Sequence, residues 1–408
     1  MKKLLLLGGS RYLLPVIKTA HDLGIYVITC DYLPDNEAHK YSDQYCNISI
    51  IEKDMVLEIA LENKIDGIMS FACDPGVVTA AYVAEKMKLP YAGSYESVCI
   101  LQNKTKFRDF LRKNHFMVPK AKGYYFIEDA MQDIEFFNYP VMVKPVDSAG
   151  SKGVKRVNFP KELRDSIIYA KSYSHSGEFI IEEYIEKKGD SSDSECFSID
   201  GKMMFVSFNN QKFDDRAENP YVPACFTWPS EISDKSQESI TSELQRLADL
   251  LKLKTSIYNV ETREGKDGKS YIMEVSPRGG GNRLAEMLKY VTGQDLIKAA
   301  VLAAIGEKYI TFESPRKLYG FWAEVILHSR KDGYFSGINI DSKLEDEFLI
   351  EKDIWVKRGQ FIRNFTGANE TIGTLVFRFN NKVEMNYYID RIYDFITIEV
   401  DTKDEYVK

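Results

Sequence analysis

Three stretches of this sequence combine residue types and spacings that can do chemistry. The first is Val141-Met142-Val143-Lys144-Pro145, followed by Asp147-Ser148-Ala149-Gly150-Ser151-Lys152-Gly153-Val154. A strand-like apolar run ends in a lysine and opens into a loop of small residues. Backbone N–H groups of such a loop can reach phosphate oxygens because no side chain blocks them. Lys144 can add a point charge beside an α- or β-phosphate. A flexible hairpin between two strands accounts for the same residues. The second stretch is Phe179-Ile180-Ile181-Glu182-Glu183-Tyr184-Ile185. A chain leaving a strand here can offer backbone groups and a carboxylate to a heteroaromatic edge, with apolar side chains sandwiching the ring. A strand end with solvated acids is the alternative. The third is Val260-Glu261-Thr262-Arg263, a turn, then Tyr271-Ile272-Met273-Glu274-Val275-Ser276-Pro277-Arg278. Two carboxylates on paired strands, each among apolar residues, are costly unless positive charge sits between them. A divalent cation with phosphates supplies that charge. Salt bridges to Arg263, Arg278 or Arg283 are the alternative. Arg278 stands close enough in sequence to meet a transferring phosphoryl group, and Gly279-Gly280-Gly281-Asn282-Arg283 adds close backbone approach and a second arginine.

These residues need elements to hold them. Strands are predicted at Lys3 to Leu7, Tyr26 to Cys30 and Gly67 to Phe71. Helices are predicted at Leu13 to Leu23, Met55 to Asn63 and after Asp74-Pro75, with Asp as cap and Pro at the first helical position. That alternation predicts a parallel, doubly wound sheet. After Tyr91-Ala92-Gly93 the rhythm changes. A charged helix runs from Asn103 to Asn114. Strands follow at Lys122 to Phe126, Val141 to Lys144, Phe179 to Glu183, Glu195 to Ile199 and Met203 to Asn209, and a long helix covers Glu238 to Leu251. The acids Glu261 and Glu274 fall on strands joined by the hairpin Lys266-Asp267-Gly268-Lys269. From Leu318 the chain is strand-rich and aromatic, which predicts a small third unit packed on the second.

Composition excludes several classes. Lys plus Arg is 54 and Asp plus Glu is 61, a net charge of −7, so no general nucleic-acid footprint is present. No apolar run approaches the ~18 residues of a membrane span, and the apolar run Leu4 to Leu7 is too short for a signal peptide. Cys30, Cys46, Cys73, Cys99, Cys196 and Cys225 are scattered, without zinc-type spacing, which predicts reduced thiols in a cytoplasmic protein. Two look-alikes are set aside. Gly268-Lys269-Ser270 imitates the end of a P-loop, but Arg263 stands where the first glycine belongs. Gly8-Gly9-Ser10 lacks the GxGxxG dinucleotide spacing.

Taken in chain order, the lysine, glycine loop, acid-ended strand and paired acids with an arginine resemble the ATP-grasp superfamily, in its carboxylate–amine ligase and carbamoyl-phosphate-synthase-like branch. Leu101-Gln102-Asn103-Lys104-Thr105-Lys106-Phe107-Arg108, followed by Val118-Pro119, resembles that family's Asp-Lys-x-x-x-Arg helix, with Asn103 in place of the aspartate. Together the motifs span Asn103 to Asp295. The resemblance implies an α/β fold. Residues 1–100 would form an N-terminal Rossmann-like domain. Residues 101–317 would form a two-lobed ATP-grasp module, with a nucleotide lobe over about 115–185 and a metal and substrate lobe over about 190–310. Residues 318–408 would form a β-rich C-terminal domain, loosely similar over Glu324 to Val400 to that of biotin carboxylase and amino-acid ligases.

The resemblance also implies roles. Lys104 and Lys144 would contact ATP phosphates, and Ser148, Ala149, Gly150, Ser151 and Gly153 would close over them. Glu182 would face the adenine amino group, with Glu183, Tyr184 and Ile185 alongside the ring. Asp190, Asp193 and Glu195 are all candidates for the ribose. Glu261 and Glu274 would hold one or two Mg²⁺ (or Mn²⁺). Ser276 stands where the family usually has a third ligand, asparagine; its hydroxyl would ligate more weakly, or a water would stand in. Arg278 would stabilise the phosphorylated intermediate and, with Lys144, carry catalysis. Lys212, Arg216, Arg278 and Arg283 would line a pocket for a small carboxylate, although Phe208 to Arg216 also reads as an ordinary solvated loop. The implied activity is ADP-forming ligation of a small carboxylate to an amine through an acyl phosphate, without nucleic-acid or membrane partners; a homodimer is compatible with it. The alternatives are carboxyphosphate chemistry on bicarbonate and a non-catalytic ATP-binding regulatory module.

Overall fold

The structure, a computed structural model, describes residues 1–308, 312 and 318–401. Its first sheet is parallel, in the order Gln44–Cys46, Tyr26–Cys30, Lys3–Leu7, Gly67–Ser70. The Leu4 to Leu7 run is buried on both sides. Leu4 and Leu6 join one core and Leu5 and Leu7 another. The period of two explains that split, and each leucine contributes roughly 1.5–3 kcal/mol by leaving water. Helices Leu14–Asp22 and Lys53–Asn63 connect the sheet's strands and Pro75–Met87 follows the last of them, so the expected doubly wound sheet is present.

The lobe expected to hold nucleotide is an antiparallel sheet in the order Ala121–Tyr124, Phe179–Glu183, Val141–Pro145, Lys155–Val157. Helices Ile127–Gln132 and Leu163–Ser172 close its core. The second lobe is a sheet in the order Lys202–Val206, Ser192–Ile199, Ser256–Glu264, Ser270–Ser276, all antiparallel. On one face Cys196, Tyr258, Val260, Ile272 and Val275 pack with Leu244, Leu247 and Leu251 of the helix Asp234–Leu251. The other face carries the polar residues described below.

Two helices absent from the sequence reading, Leu284–Thr292 and Leu296–Ala304, share a core with Leu4, Leu6, Val16 and Ile17. They fasten the second lobe to the N-terminal sheet. The C-terminal segment, expected as a small third unit packed on the second, shares a sheet with strands from the central segment. A five-stranded antiparallel sheet runs in the order Asn210–Phe213, Pro223–Trp228, Phe321–Leu327, Gly373–Phe379, Leu349–Ile354, so its first two strands come from before residue 318. The expected solvated loop Phe208 to Arg216 therefore contains a strand. Asn210 is buried there because its amide donates to Thr227 Oγ1 (2.9 Å) and Pro229 O (3.0 Å), which offsets its poor strand propensity. Residue 317, at the expected boundary, and residues 402–408 lie outside the described residues. A small sheet of Phe361–Ile362, Gly333–Ile340 and Ile396–Asp401 completes the fold. No helix among the described residues is long and apolar enough to cross a membrane.

Candidate active site

Register builds the site. Asp193 lies opposite Glu261, and Glu261 opposite Glu274; one step along, Glu195 lies opposite Asn259, and Asn259 opposite Ser276. Because alternate residues share a face, these six polar side chains form a grid on one face of three adjacent strands. Farther along the same face Phe197 and Ile257 enter the apolar core. The grid is short of positive charge. Glu261 meets Arg263 at 3.5 Å and Glu274 meets Lys104 at 4.0 Å. Asp193 accepts from Asn259 Nδ2 at 2.7 Å. Burial raises the Asp193 carboxyl to about 7, and Glu261 and Glu274 push it in the same direction. Burial likewise raises Glu195 to about 8, although Gly280 N–H donates to its Oε1 at 2.6 Å, and its Oε2 lacks a partner among the described residues.

Arg278 closes one end of the grid. Its guanidinium donates to Asp74 Oδ1 (2.9 Å) and Oδ2 (2.7 Å), and to Asn259 Oδ1 (3.1 Å). Burial alone would raise Asp74, but the Arg278 charge and hydrogen bonds outweigh it and hold the carboxyl below its ordinary range. This corrects the reading of Asp74 as a helix cap: its side chain caps nothing, and its backbone is already helical at φ −60°, ψ −40°. The contact needs the glycine-rich loop to lie against the N-terminal sheet. A Cβ at Gly279 would stand 2.1 Å from the Phe71 ring, and Ala72 N–H donates to Gly279 O at 2.9 Å. Ser276 also departs from expectation. Its hydroxyl donates to Asp74 Oδ1 (2.9 Å) and accepts from Gln102 Nε2 (2.8 Å), so it serves first to orient Asp74 and keeps one lone pair for any cation.

On the nucleotide side, Lys144 contacts Glu182 Oε1, and Arg108 Nε donates to Glu182 Oε2 at 2.9 Å. Glu182 is buried, which would raise it, yet the two cations bring it down to about 2. Arg108 and Lys104 share a helix face four residues apart on Lys104–Lys113, and Lys104 reaches Ser148 O at 3.0 Å. Asn103 caps that helix by accepting from Lys106 N–H. The small-residue loop is tethered rather than loose. Asp147 accepts from Ser174 Oγ and from the His175 and Ser176 N–H groups, and Ser151 Oγ donates to Tyr221 O at 2.8 Å. Gly150 takes φ +65°, which glycine adopts without strain. Glu183 is held by the Asn138 backbone and side-chain amides, Arg156 lies over the Tyr184 ring, and Ile185 O accepts from Arg263.

Several sequence candidates have other partners. Lys212 pairs with Asp190 (3.1 Å) and Asp390 (3.2 Å), which also occupies Asp190. The Arg216 guanidinium faces the Tyr393 ring. Arg283 pairs with Glu286 and Glu351. None of the contacts among the described residues joins Lys212, Arg216 or Arg283 to the carboxylate grid. Asp74, Arg108 and Asn259 are the contributors that sequence reasoning did not assign. Period-two counting back from Glu261 would have found Asn259; Asp74 has no local signal.

The donor set suits a small divalent cation. Glu261 and Glu274 face one another across strands with a third acid beside them. Among the described residues no three such side chains converge tightly enough to enclose an ion. Mg²⁺ characteristically takes one or two carboxylates and completes its shell with phosphate and water.

The layers and the site together define an ATP-grasp architecture. Residues 137–286, a little over a third of the chain, match the family model of the ATP-grasp domain. It is 27% identical over 220 residues to the carbamoyl phosphate synthase large chain of Thermoanaerobacter sp. (strain X514), a match covering 53% of this chain but 19% of that one. The chain thus spans only about a fifth of that relative's length. Among solved structures it is similar to L-amino acid ligase from Bacillus licheniformis (TM-score 0.82, 20% identity, 98% of this chain and 99% of that one). It is also similar to phosphoribosylglycinamide synthetase from Anaerococcus prevotii (TM-score 0.76, 22% identity, 98% and 100%). At these identities the two structures define the shared fold.

Proposed function

We propose that the protein is an ATP-dependent, ADP-forming ligase that joins a small carboxylate to an amine. The observation that carries this reading is the grid of Asp193, Glu261 and Glu274, short of positive charge, beside an Arg278 locked in orientation by Asp74. Glu261 and Glu274 would hold Mg²⁺, which when bound neutralises phosphate charge. Lys104 and Lys144 would meet ATP phosphates, and the backbone of Ser148 to Gly153 would cover them. Glu182 fixes Lys144 through a buried ion pair, and Tyr184 and Ile185 would flank the base. An oxygen of the substrate carboxylate attacks the γ-phosphorus as the bond to the bridging oxygen breaks and ADP leaves. Arg278 faces the charge that grows on the transferring group. The amine nitrogen then attacks the acyl carbon, phosphate departs, and the amine releases its proton to solvent.

The proposed units are 1–100, 101–317 and 318–408, with two strands of the second completing the sheet of the third. A cytoplasmic setting is proposed from the scattered spacing of the six cysteines, and a homodimer is the proposed assembly. Carboxyphosphate chemistry on bicarbonate is the second reading, favoured by the sequence likeness to carbamoyl phosphate synthase. ADP and phosphate release across a panel of carboxylates and amines, with hydroxylamine as trap, tests both. A hydroxamate from a carboxylate supports the ligase. Release with bicarbonate alone and no hydroxamate favours the second reading, and tight ATP binding without turnover overturns both.

A further inference from the structure

The small-residue loop is fastened at two points to different parts of the molecule. At its start Asp147 accepts from Ser174, His175 and Ser176 of its own lobe. At its tip it is held from across the cleft, by the segment that joins the strands Asn210–Phe213 and Pro223–Trp228 of the five-stranded sheet. Asn219, only 8% exposed, is the centre of that contact. Its amide nitrogen donates to Ser151 O (3.1 Å) and to Thr366 O (2.9 Å), and its Oδ1 accepts from Tyr221 N–H (3.1 Å). Ser151 Oγ adds a bond of its own to Tyr221 O at 2.8 Å. Both amide protons of Asn219 are thus spent on backbone carbonyls, one in the loop and one beside the C-terminal sheet.

The two sides of the contact differ in how firmly they are held. The C-terminal side is anchored. Phe365 is fully buried, stacks on the His328 ring at 4.0 Å, and donates its N–H to Ser329 O (2.9 Å), while Asn364 N–H donates to Asp332 Oδ1 (2.8 Å). The loop side depends on outside support. Ser151 takes φ +59°, in the left-handed region that serine rarely adopts. Its neighbours meet the anchored segment through little surface: a Cβ at Gly150 would stand 3.6 Å from Ala368 Cβ, and one at Gly367 would stand 3.3 Å from the Lys152 stem. A strained backbone persists where its surroundings over-determine it. For Ser151 the bonds that do so come from Asn219 and Tyr221, both on the far side of the cleft. Without them the loop is free to relax.

We propose that Asn219 is a positioning residue, a catch that joins the tip of the loop Ser148 to Gly153 to the five-stranded sheet, and that nucleotide enters and leaves beneath the loop when this catch opens. The phosphate role of the loop rests on the ATP-dependent reading; the catch rests on Asn219 itself. Every group in it belongs to the chain, so it can close with or without a nucleotide beneath it. A catch that closes before a nucleotide arrives slows entry as well as release. Hydrogen exchange on the full chain without nucleotide is the first test. In Asn219→Ala and Asn219→Asp the amides of 148–153 should exchange about tenfold or more faster, while those of Phe179–Glu183 in the same lobe keep their wild-type rates. Asn219→Asp keeps the side-chain shape and the acceptor for Tyr221 but has no proton for either carbonyl. Ser151→Ala removes a single bond and should give a smaller rise. The second test is stopped-flow binding of a fluorescent ADP analogue with Mg²⁺: association and dissociation should both be about threefold or more faster in the Asn219 variants, a pattern that a merely damaged site would not give. Unchanged loop exchange in Asn219→Asp and Ser151→Ala overturns the assignment, and so does faster release with unchanged association. Exchange that rises throughout the lobe in both Asn219 variants, while the Ser151→Ala loop stays at wild type, overturns it too. A wild type that fails to bind the analogue strikes the ATP-dependent reading instead, with loop exchange still deciding the catch.

Discussion

The two lobes that would grip a nucleotide handle buried charge in opposite ways. In the nucleotide lobe Glu182 has two cations within the protein, Lys144 and Arg108, and its carboxyl sits at about 2 despite full burial. In the second lobe Asp193 and Glu195, equally buried, sit at about 7 and about 8, because burial raises both and the Arg278 charge and the hydrogen bonds that reach them do not offset it. The first arrangement is complete without a ligand and builds a rigid frame. The second holds negative charge that an incoming cation would relieve. Both lobes are antiparallel sheets of four strands, so the contrast comes from which side chains the register aligns rather than from architecture.

Glu182→Gln breaks the comparison most severely. It leaves Lys144 and Arg108 buried around a neutral group, and it should cost about 3–5 kcal/mol of stability. Denaturant unfolding checks this; an unchanged midpoint would mean that water, not Glu182, compensates those cations. Glu274→Gln, the corresponding change in the other lobe, should do the reverse: stability without ligand is kept or gained, because a repulsion is removed, while most turnover is lost.

Arg278→Ala should lower turnover by roughly 10²–10³-fold, the scale of a lost transition-state donor, with a smaller effect on ATP affinity. Asp74→Asn should move turnover in the same direction but less, since it frees the arginine without removing it. Steady-state ADP release measures both, and wild-type turnover in Asp74→Asn would detach Asp74 from the site.

Lys144→Ala should weaken ATP binding by about 1.5–3 kcal/mol. Calorimetry giving unchanged affinity would restrict Lys144 to its pair with Glu182.

The smallest effect sharpens the contrast by pH. Asp193 and Glu195 titrate higher in the folded chain than in the unfolded one. The folded state therefore holds extra protons between the ordinary carboxylate range and about 7 to 8. Stability without ligand should fall as pH rises through that window, and Asp193→Asn should flatten the fall. Glu182 and Asp74, held low, contribute in the other direction: their stabilisation is present above the ordinary carboxylate range and is lost only on acidification through their lowered folded values. Thermal midpoints from about pH 5 to 9 test this; a flat wild-type profile would mean that Asp193 is already paired.

The sequence alone determined the elements whose patterns are local. Leu4 to Leu7 is a fully buried strand because four consecutive leucines can be satisfied only between two covered faces. Asn103 caps a helix because its side chain needs nothing beyond three residues. Glu261 and Glu274 lie on paired strands because a short hairpin joins them, although the hairpin register alone would set Met273 opposite Glu261 and a bulge between Glu261 and Thr262 brings Glu274 there instead. Only the tertiary structure decided the rest. Asp74 looks like a cap until a loop some two hundred residues later brings Arg278 to it, and a Gly279 without a Cβ is what permits that approach. The strands Asn210–Phe213 and Pro223–Trp228 join the C-terminal sheet although they lie within the central segment, since strand pairing is chosen among all available edges and leaves no mark on the pairing strand itself. The Glu324 acid reads as one charge in an apolar run. That it is buried without a hydrogen-bond partner, while Arg283 is claimed by Glu286 and Glu351, is a count of partners that exists only in three dimensions.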